Sequence, residues 1–381
     1  MLRFIIVIIS VFLLSSCSTT KTTDANVIPQ DTIAKKDITA PSTTAQVNIA
    51  LIAPLDKENE RIGGNIVQAA QLAIEDSNNQ DINLTIINSD LLNSAPQQLL
   101  STLNEHNIQF IVGPLYGKDT VKLMNLIKDK NIPVLSLSND SSIKYNSLLI
   151  MGISPDSQAK TITDYAISQG TSSFSLILPE NKLGHIINDA IEDIISQKSG
   201  ITFSANWYDP TSQEDAEKTI NTLVQSIDKQ TPNQAIFMPQ GDKNLVFLDK
   251  ALLKHSLHHV QLIGLQSWDN SAVLHLPALN GAILLRKDLS NHKFEEKYTN
   301  TFGNKANNLD MITYESLLML INMHNDGLTI DKHSIISYNN YQNIGKYSSM
   351  VFDNNGQVIY NLPIAKVQNQ QFIVVENNPI R

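Results

Sequence analysis

The chain has 381 residues, of which 42% are hydrophobic and 17% are charged, which is too apolar for a disordered chain and too polar for a polytopic membrane protein. Its 37 acidic and 28 basic residues give a net charge of −9, which offers no electrostatic basis for binding nucleic acid. The length predicts two or three domains.

An export signal is the first predicted element. After a basic start, residues 4–14 form an apolar run that is too short to span a bilayer and is followed by small residues, an order typical of secretory signal peptides. Cys17 is the only cysteine, which excludes an internal disulfide. The segment Leu14–Cys17 resembles the bacterial lipobox. We therefore predict a signal peptide at 1–16 and an acylated Cys17. By resemblance to the sorting rule of enteric lipoproteins, a residue other than Asp after the cysteine, here Ser18, implies delivery to the outer membrane of a Gram-negative bacterium.

Residues 17–46 are predicted to be the lipidated cysteine and a tether. The segment is rich in Thr and Ser and has no sustained hydrophobic period, as is typical of a disordered linker. A flexible chain of about 29 residues has a root-mean-square reach of about 30 Å. This reach is enough to hold a folded domain clear of a membrane.

From Val47 onward, strand patterns alternate with helix patterns in two successive blocks. The strand segments are short apolar runs, as expected for parallel strands that are buried on both faces. They lie at 47–53, 84–87, 110–112 and 132–137 in the first block, and at 174–178, 201–208, 235–238 and 260–264 in the second. Such alternation predicts an α/β fold with two lobes, each an open, mostly parallel sheet flanked by helices.

The remaining segments are too small for a third block, so we expect them to complete both lobes. They are a strand at 281–285, helices at 294–302 and 309–323, and short strands at 350–352, 358–360 and 372–375. The chain would then cross between the lobes near 149–154, near 267–271 and within 325–349. The predicted division assigns 47–150 and about 271–330 to lobe 1, and 151–270 and about 331–381 to lobe 2.

No motif in the sequence supports catalysis. Gly113–Lys118 lacks the glycine spacing of a Walker A loop, and Asp119 stands where that motif needs Ser or Thr. His255, His258 and His259 have helical spacing but no carboxylate pair nearby, which is typical of a polar helix end rather than a metal site. We expect no enzymatic activity, no cofactor and no metal.

A ligand is expected where the strand-end loops of the two lobes face each other, because open parallel sheets bind ligands beyond the carboxyl ends of their strands. Closure of the lobes around a small molecule is the natural mechanism of such a cleft. The loop Ser138–Ser142 is either a turn with side-chain caps or a binding loop, and Tyr116 and Trp268 either stack on a ligand or pack at the hinge. The candidate ligand contacts are Pro54, Leu55, Tyr116, Gly117, Ser136, Ser138, Asn139, Asp140, Leu183, Gln240, Gln266 and Trp268.

The chain from 47 to 376 resembles the type I periplasmic binding proteins of the leucine-binding group. The motifs that carry the resemblance follow one another in the family's order. They are Asn48–Leu55 with Gly63 and Gly64, Val112–Leu115, Ile132–Asn139, Gln158–Gly170 and Phe294–Leu320. Within this family the chain is most similar to the lipoproteins that activate penicillin-binding proteins, through Ser138–Asp140, Gly264–Asp269, the lipobox and the tether.

Amino-acid receptors of this family usually carry a tyrosine before the glycine after the first strand of the second lobe, and an acidic residue at the later hinge. Here these places hold Leu183 and Gln266. An unpaired buried ammonium group costs several kcal/mol, so ordinary amino-acid binding is not expected. The resemblance implies a periplasm-facing lipoprotein that binds and activates a peptidoglycan synthase. The alternative is a solute receptor for an ABC permease, for amino acids or another small polar ligand.

Overall fold

The computed structural model describes residues 46–79, 81–241, 243–257, 259–287, 291–338, 350–360 and 362–376. The predicted signal peptide, Cys17 and all of the tether before Gln46 lie outside these residues. Within the described ranges, no helix combines the length and the apolar character that crossing a bilayer requires.

The first sheet is formed by five short strands from the N-terminal part of the folded chain. The elements are β1 (Val47–Ala53), α1 (Glu60–Ser77), β2 (Ile82–Asn88), α2 (Leu91–Ser94), α3 (Pro96–Glu105), β3 (Phe110–Val112), α4 (Gly117–Leu126), β4 (Val134–Ser136) and β5 (Leu148–Ile150). The strands are all parallel, in the order β2-β1-β3-β4-β5. Strand β1 is an interior strand and almost entirely buried, which explains its continuous apolar sequence.

The second block repeats the alternation of strand and helix. Its elements are α5 (Pro155–Ser168), β6 (Ser173–Pro179), α6 (Lys182–Ser196), β7 (Thr202–Tyr208), α7 (Gln213–Ser226), β8 (Gln234–Phe237), α8 (Asn244–His255), β9 (Gln261–Gly264) and β10 (Ile283–Leu285). The chain then continues through α9 (His292–Phe302), α10 (Asn308–Asn325), α11 (Lys332–Ser337), β11 (Met350–Phe352), β12 (Val358–Tyr360), β13 (Ile364–Gln368) and β14 (Gln371–Glu376).

The second sheet has seven strands in the order β14-β13-β10-β9-β8-β6-β7. Its pairs are parallel except those of β13, which runs antiparallel to both β10 and β14. Strands β11 and β12 form a separate antiparallel hairpin. The two sheets and their flanking helices confirm the predicted two-lobed α/β fold.

Two segments differ from the predicted division between the lobes. Strand β10 pairs with β9 and β13 in the second sheet, although about 271–330 was assigned to lobe 1. The hairpin of β11 and β12 is joined to β5 of the first sheet by a bridge between Ile150 and Gln357, although about 331–381 was assigned to lobe 2. A short apolar strand fits either sheet, so its local pattern does not reveal its partner.

The helices α1 and α6 each approach the end of the strand before them very closely. A side chain at Gly63 of α1 would collide with the carbonyl oxygen of Pro54, and one at Gly184 of α6 would collide with that of Pro179. Glycine allows this approach because it has no Cβ atom. The approach places the N-terminal turns of α1 and α6 beside the carboxyl ends of the strands.

Candidate functional site

A pocket of about 580 Å³ lies where strand-end segments from the two sheets meet. The first sheet contributes the segments that follow β3, β4 and β5, and the second contributes those that follow β9 and β10. The N-terminal turns of α1 and α10 complete the wall. The lining residues are Arg61, Ile62, Asn65, Leu115, Tyr116, Leu137, Asn139, Gly152, Ile153, Gln266, Lys287, Asn307, Asn308, Leu309, Asp310 and Ile312.

Tyr116 is held in the wall by a chain of hydrogen bonds. Its hydroxyl donates to Oδ1 of Asn59 over 2.8 Å, and Nδ2 of Asn59 donates to both carboxylate oxygens of Asp56, each over 3.0 Å. The hydrogen bond from Asn59 lowers the pKa of Asp56. The phenol ring is therefore fixed in place before any ligand enters.

The side chain and the backbone N–H of Gln266 also form hydrogen bonds within the protein. Its Nε2 donates to the carbonyl oxygen of Arg286 over 2.8 Å, and its backbone N–H donates to Oε1 of Gln158 over 3.2 Å. The residue thus ties the end of β9 to the end of β10 and to α5. As a neutral amide, it supplies no negative charge to the pocket.

The N-terminus of α10 contributes a capping box. Oδ1 of Asn307 accepts the N–H groups of Leu309 and Asp310 over 2.8 and 3.3 Å, and Oδ2 of Asp310 accepts the N–H of Asn307 over 2.9 Å. Asp310 is fully buried, and no hydrogen-bond donor meets its Oδ1 among the described residues. Burial raises the pKa of Asp310 to about 6, against the lowering effect of the hydrogen bonds from Asn307.

The charged groups of the wall are mostly cationic. Arg61 and Lys287 are exposed, and the side chain of neither forms an ion pair in the part of the chain that the structure describes, although the backbone N–H of Lys287 donates to Oδ2 of Asp269 over 2.7 Å. Asp310 is the only acidic residue among the described lining residues, and its side chain is shielded from solvent. The wall therefore combines two accessible cations, several amides and an apolar surface.

Three of the predicted contacts, Tyr116, Asn139 and Gln266, line this pocket. Gly117 and Asp140 line a neighbouring pocket of about 550 Å³ instead. There, Oδ2 of Asp140 accepts a hydrogen bond from Nζ of Lys182, at the start of α6, over 2.6 Å. Burial raises the pKa of Asp140, but the hydrogen bonds from Lys182 and Ser142 outweigh it and lower the pKa overall.

Ser136 and Ser138 form hydrogen bonds within the protein and do not line the pocket. Ser136 is fully buried, shares a hydrogen bond of 2.7 Å with Thr120 and donates to the carbonyl oxygen of Pro114 over 3.1 Å. Oγ of Ser138, also buried, accepts the N–H of Asp140 over 3.1 Å. Most of the loop is thus a turn with side-chain caps, and Asn139 is the member that reaches the pocket.

Trp268 and Gln240 do not line the pocket. Trp268 is fully buried, its Nε1 donates to the carbonyl oxygen of Gln240 over 3.2 Å, and its ring fills the space beside Gly264. Oε1 of Gln240 accepts the hydroxyl of Tyr208 over 2.5 Å. Of the two roles predicted for Trp268, stacking on a ligand and packing, its burial and its contact with Gly264 correspond to packing.

Pro54, Leu55 and Leu183 also lie outside the pocket wall. Pro54 is buried, with its carbonyl oxygen against α1, and the N–H of Leu55 donates to Oδ1 of Asn88 over 3.2 Å. Leu183 packs against the hydrophobic core. None of these three residues is among the lining residues of the pocket.

Several wall residues were not selected from the sequence. Arg61 lies in the first turn of α1, just beyond the carboxyl end of β1, where open parallel sheets are expected to bind ligands. Lys287 follows β10, which was assigned to the other lobe. Asn307 and Asp310 show the Asn-x-x-Asp spacing of a capping box, but this pattern predicts a helix start and not its position on a pocket.

A second pocket, of about 530 Å³, adjoins the first and shares Lys287, Asn307 and Asn308 with it. Its wall contains the ion pair between Nε of Arg286 and Oδ2 of Asp269, at 3.1 Å. Within the described ranges, no group of three or more His, Cys, Asp or Glu side chains is placed to hold a metal ion. His258 of the histidine cluster lies outside those ranges.

Comparison with known proteins places the chain beside both binding proteins and regulators. A family model described as periplasmic binding protein matches residues 46–370. An uncharacterized protein of Rickettsia prowazekii is 22% identical over 219 residues, which cover 56% of this chain and 58% of that protein. The penicillin-binding protein activator LpoA of Vibrio antiquarius is 25% identical over 199 residues, which cover 50% of this chain and 31% of the activator. The matches thus span less than two thirds of either relative.

Two solved structures share the fold at low sequence identity. A branched-chain amino acid ABC transporter periplasmic ligand-binding protein from Burkholderia xenovorans has a TM-score of 0.67 and 15% identity, covering 87% of this chain and 95% of that chain. The C-domain of LpoA from Haemophilus influenzae, a regulator of PBP1A, has a TM-score of 0.64 and 17% identity, covering 86% of this chain and 100% of that chain. At these identities the likeness shows the fold alone.

Proposed function

Because the chain belongs to the periplasmic binding protein family, we propose that it is a non-enzymatic, periplasm-facing lipoprotein that activates a peptidoglycan-synthesising penicillin-binding protein. The observation that carries this proposal is the similarity to the activator LpoA, which recurs in sequence and in fold. The solved regulatory domain is covered over its whole length. The family and the structural neighbours are binding proteins or regulators rather than enzymes.

The chemistry of the pocket supports a regulator over an amino-acid receptor. A receptor for free amino acids needs a carboxylate for the ammonium group, since an unpaired ammonium is costly to bury. The described wall offers only Asp310, which is buried and already caps α10. Gln266 supplies a neutral amide that is bonded to Arg286.

The second candidate function is that of a solute receptor for an ABC permease. A pocket of about 580 Å³ between the lobes favours it, because this volume lies within the range of small-molecule sites. The likeness to the ligand-binding protein of Burkholderia xenovorans supports the same function.

The membrane anchor is part of the proposal. Acylation of Cys17 would hold the domain at the periplasmic face of the outer membrane, since two or more acyl chains give stable anchoring. The tether would let the domain reach a synthase at some distance from its anchor.

Affinity capture from native envelopes tests the proposal. The tagged protein should recover a penicillin-binding protein, and Cys17→Ala should recover less of it because the anchor no longer holds the domain at the membrane. Recovery of an ABC permease in place of a penicillin-binding protein would support the receptor function and contradict the activator.

A further inference from the structure

The charges of the pocket wall are unbalanced. Arg61, in the first turn of α1, and Lys287, just after β10, come from different sheets, and their side chains form no ion pair among the described residues, while the backbone N–H of Lys287 donates to Oδ2 of Asp269 over 2.7 Å. The acidic side chain of the wall, Asp310, is fully buried and accepts the N–H of Asn307. A bound anionic group would meet two cations, whereas a bound ammonium group would meet the same cations without an accessible carboxylate to offset them.

The rest of the polar wall is neutral. Asn65, Asn139 and Asn308 present side-chain amides, which both donate and accept hydrogen bonds. Asn139 is exposed, and no hydrogen bond to its side chain occurs within the described ranges. Such amides can form hydrogen bonds with the N–H and C=O groups of a peptide backbone. They carry no negative charge that could pair with an ammonium group.

An apolar surface completes the wall. Ile62 is 40% exposed and lines the pocket together with Leu115, Ile153 and Leu309. Burying an aliphatic side chain against such a surface contributes to binding in proportion to the area removed from water. The adjoining pocket shares three wall residues with the first, so a ligand longer than one residue has room to continue into it.

We propose that this pocket binds a short N-acylated peptide: a ligand with one free carboxylate for Arg61 and Lys287, neutral amide groups for the asparagines, an apolar side chain, and no ammonium group. The inference goes beyond the proposed function, because it concerns a small-molecule ligand of the cleft and holds for either protein partner. It excludes a free, zwitterionic amino acid as the ligand of this pocket.

Calorimetry on the purified full chain with three matched dipeptides tests the proposal. N-acetyl-alanyl-leucine should bind about tenfold more tightly than alanyl-leucine, which has an additional ammonium group. It should also bind about tenfold more tightly than N-acetyl-alanyl-leucinamide, which lacks the carboxylate. A tenfold difference in affinity corresponds to about 1.4 kcal/mol. The preference should weaken at high salt because the two cations are exposed. Equal or tighter binding of alanyl-leucine, or no binding of any of the three, would overturn it.

Charge-neutralising variants locate the site. Arg61→Gln and Lys287→Gln should each weaken binding of N-acetyl-alanyl-leucine several-fold while leaving that of the leucinamide unchanged, because only the carboxylate contacts these side chains. Lys128→Gln, an exposed lysine outside the lining residues of the pocket, is the control and should change neither. Equal affinities in all three variants would contradict the assignment. These measurements need no synthase, so their failure and that of the activator proposal are separate results.

Discussion

Asp310 shows how one residue couples the pocket wall to the stability of the fold. It is buried at the start of α10, and burial raises its pKa from 3.8 to about 6. Between these two values the folded protein keeps a proton that the unfolded chain has released. The free energy of unfolding therefore falls as the pH rises through this range.

We predict that Asp310→Asn removes this contribution, because an amide has no proton to lose and its Oδ1 can still accept the N–H of Asn307. Relative to the natural chain, the variant should gain about 3 kcal/mol of unfolding free energy between pH 4 and pH 7.5, from a pKa difference of about 2 units. Urea unfolding of both proteins at the two pH values measures the gain.

Asp209→Asn serves as the control. Hydrogen bonds from Thr211 lower the pKa of Asp209 below its ordinary value of 3.8, so its contribution to stability changes only below that pH, and the difference in unfolding free energy between Asp209→Asn and the natural chain should be nearly the same at pH 4 and pH 7.5. If the difference in unfolding free energy between Asp310→Asn and the natural chain were the same at pH 4 and pH 7.5, burial would not raise the pKa of Asp310.

Residue type alone does not show whether an aromatic side chain after a strand lines the pocket or packs in the core. Trp268 follows a strand end, as a ligand-stacking aromatic would, but the missing side chain of Gly264 makes room for its ring in the core. Tyr116 has the same kind of position and does reach the pocket, where Asn59 holds its hydroxyl. The difference lies in contacts between distant residues, which no local pattern reports.

At the scale of elements, periodicity predicts most of the helices and strands. The predicted helices at 294–302 and 309–323 correspond to α9 (His292–Phe302) and α10 (Asn308–Asn325). Strand β13 (Ile364–Gln368) was missed, because Lys366 and Gln368 break the apolar run. The partners of β10 could not be predicted, since pairing joins β10 to β13 across about eighty residues of intervening chain.

The contact between α1 and β1 gives a prediction at this scale, with neighbouring glycines as test and control. Gly63→Ala should lower the free energy of unfolding by about 2–3 kcal/mol, because the new methyl group collides with the backbone of Pro54. Gly64→Ala has no atom within 4 Å of the added methyl group and should raise it by about 0.5–1 kcal/mol through helix propensity. Urea midpoints measure both, and equal midpoints would contradict the close approach.

At the scale of the whole molecule, one ion pair joins the strand-end loops of the two lobes. Asp140, after β4, and Lys182, at the start of α6, are 2.6 Å apart, and the side chain of Lys182 is 62% exposed. An exposed pair contributes at most about 1 kcal/mol to stability. An energy of this size matters more for an equilibrium between open and closed lobes than for unfolding, because two conformations of a folded protein generally differ by only a few kcal/mol.

We predict that Lys182→Gln barely changes the urea midpoint but shifts small-angle scattering toward a more open molecule, as high salt should also do. Lys198→Gln is the matched control, because Lys198 and Asp164 are likewise 2.6 Å apart but join α5 to the end of α6 next to it. Identical scattering from both variants would show that the pair does not hold the lobes together.

The proposed function requires that the chain act on a peptidoglycan synthase. The most direct measurement is the rate of glycan-strand polymerisation by the captured penicillin-binding protein, with and without the purified full chain. The rate should rise several-fold and saturate as the chain is added. An unchanged rate with the chain in excess would contradict the proposed function.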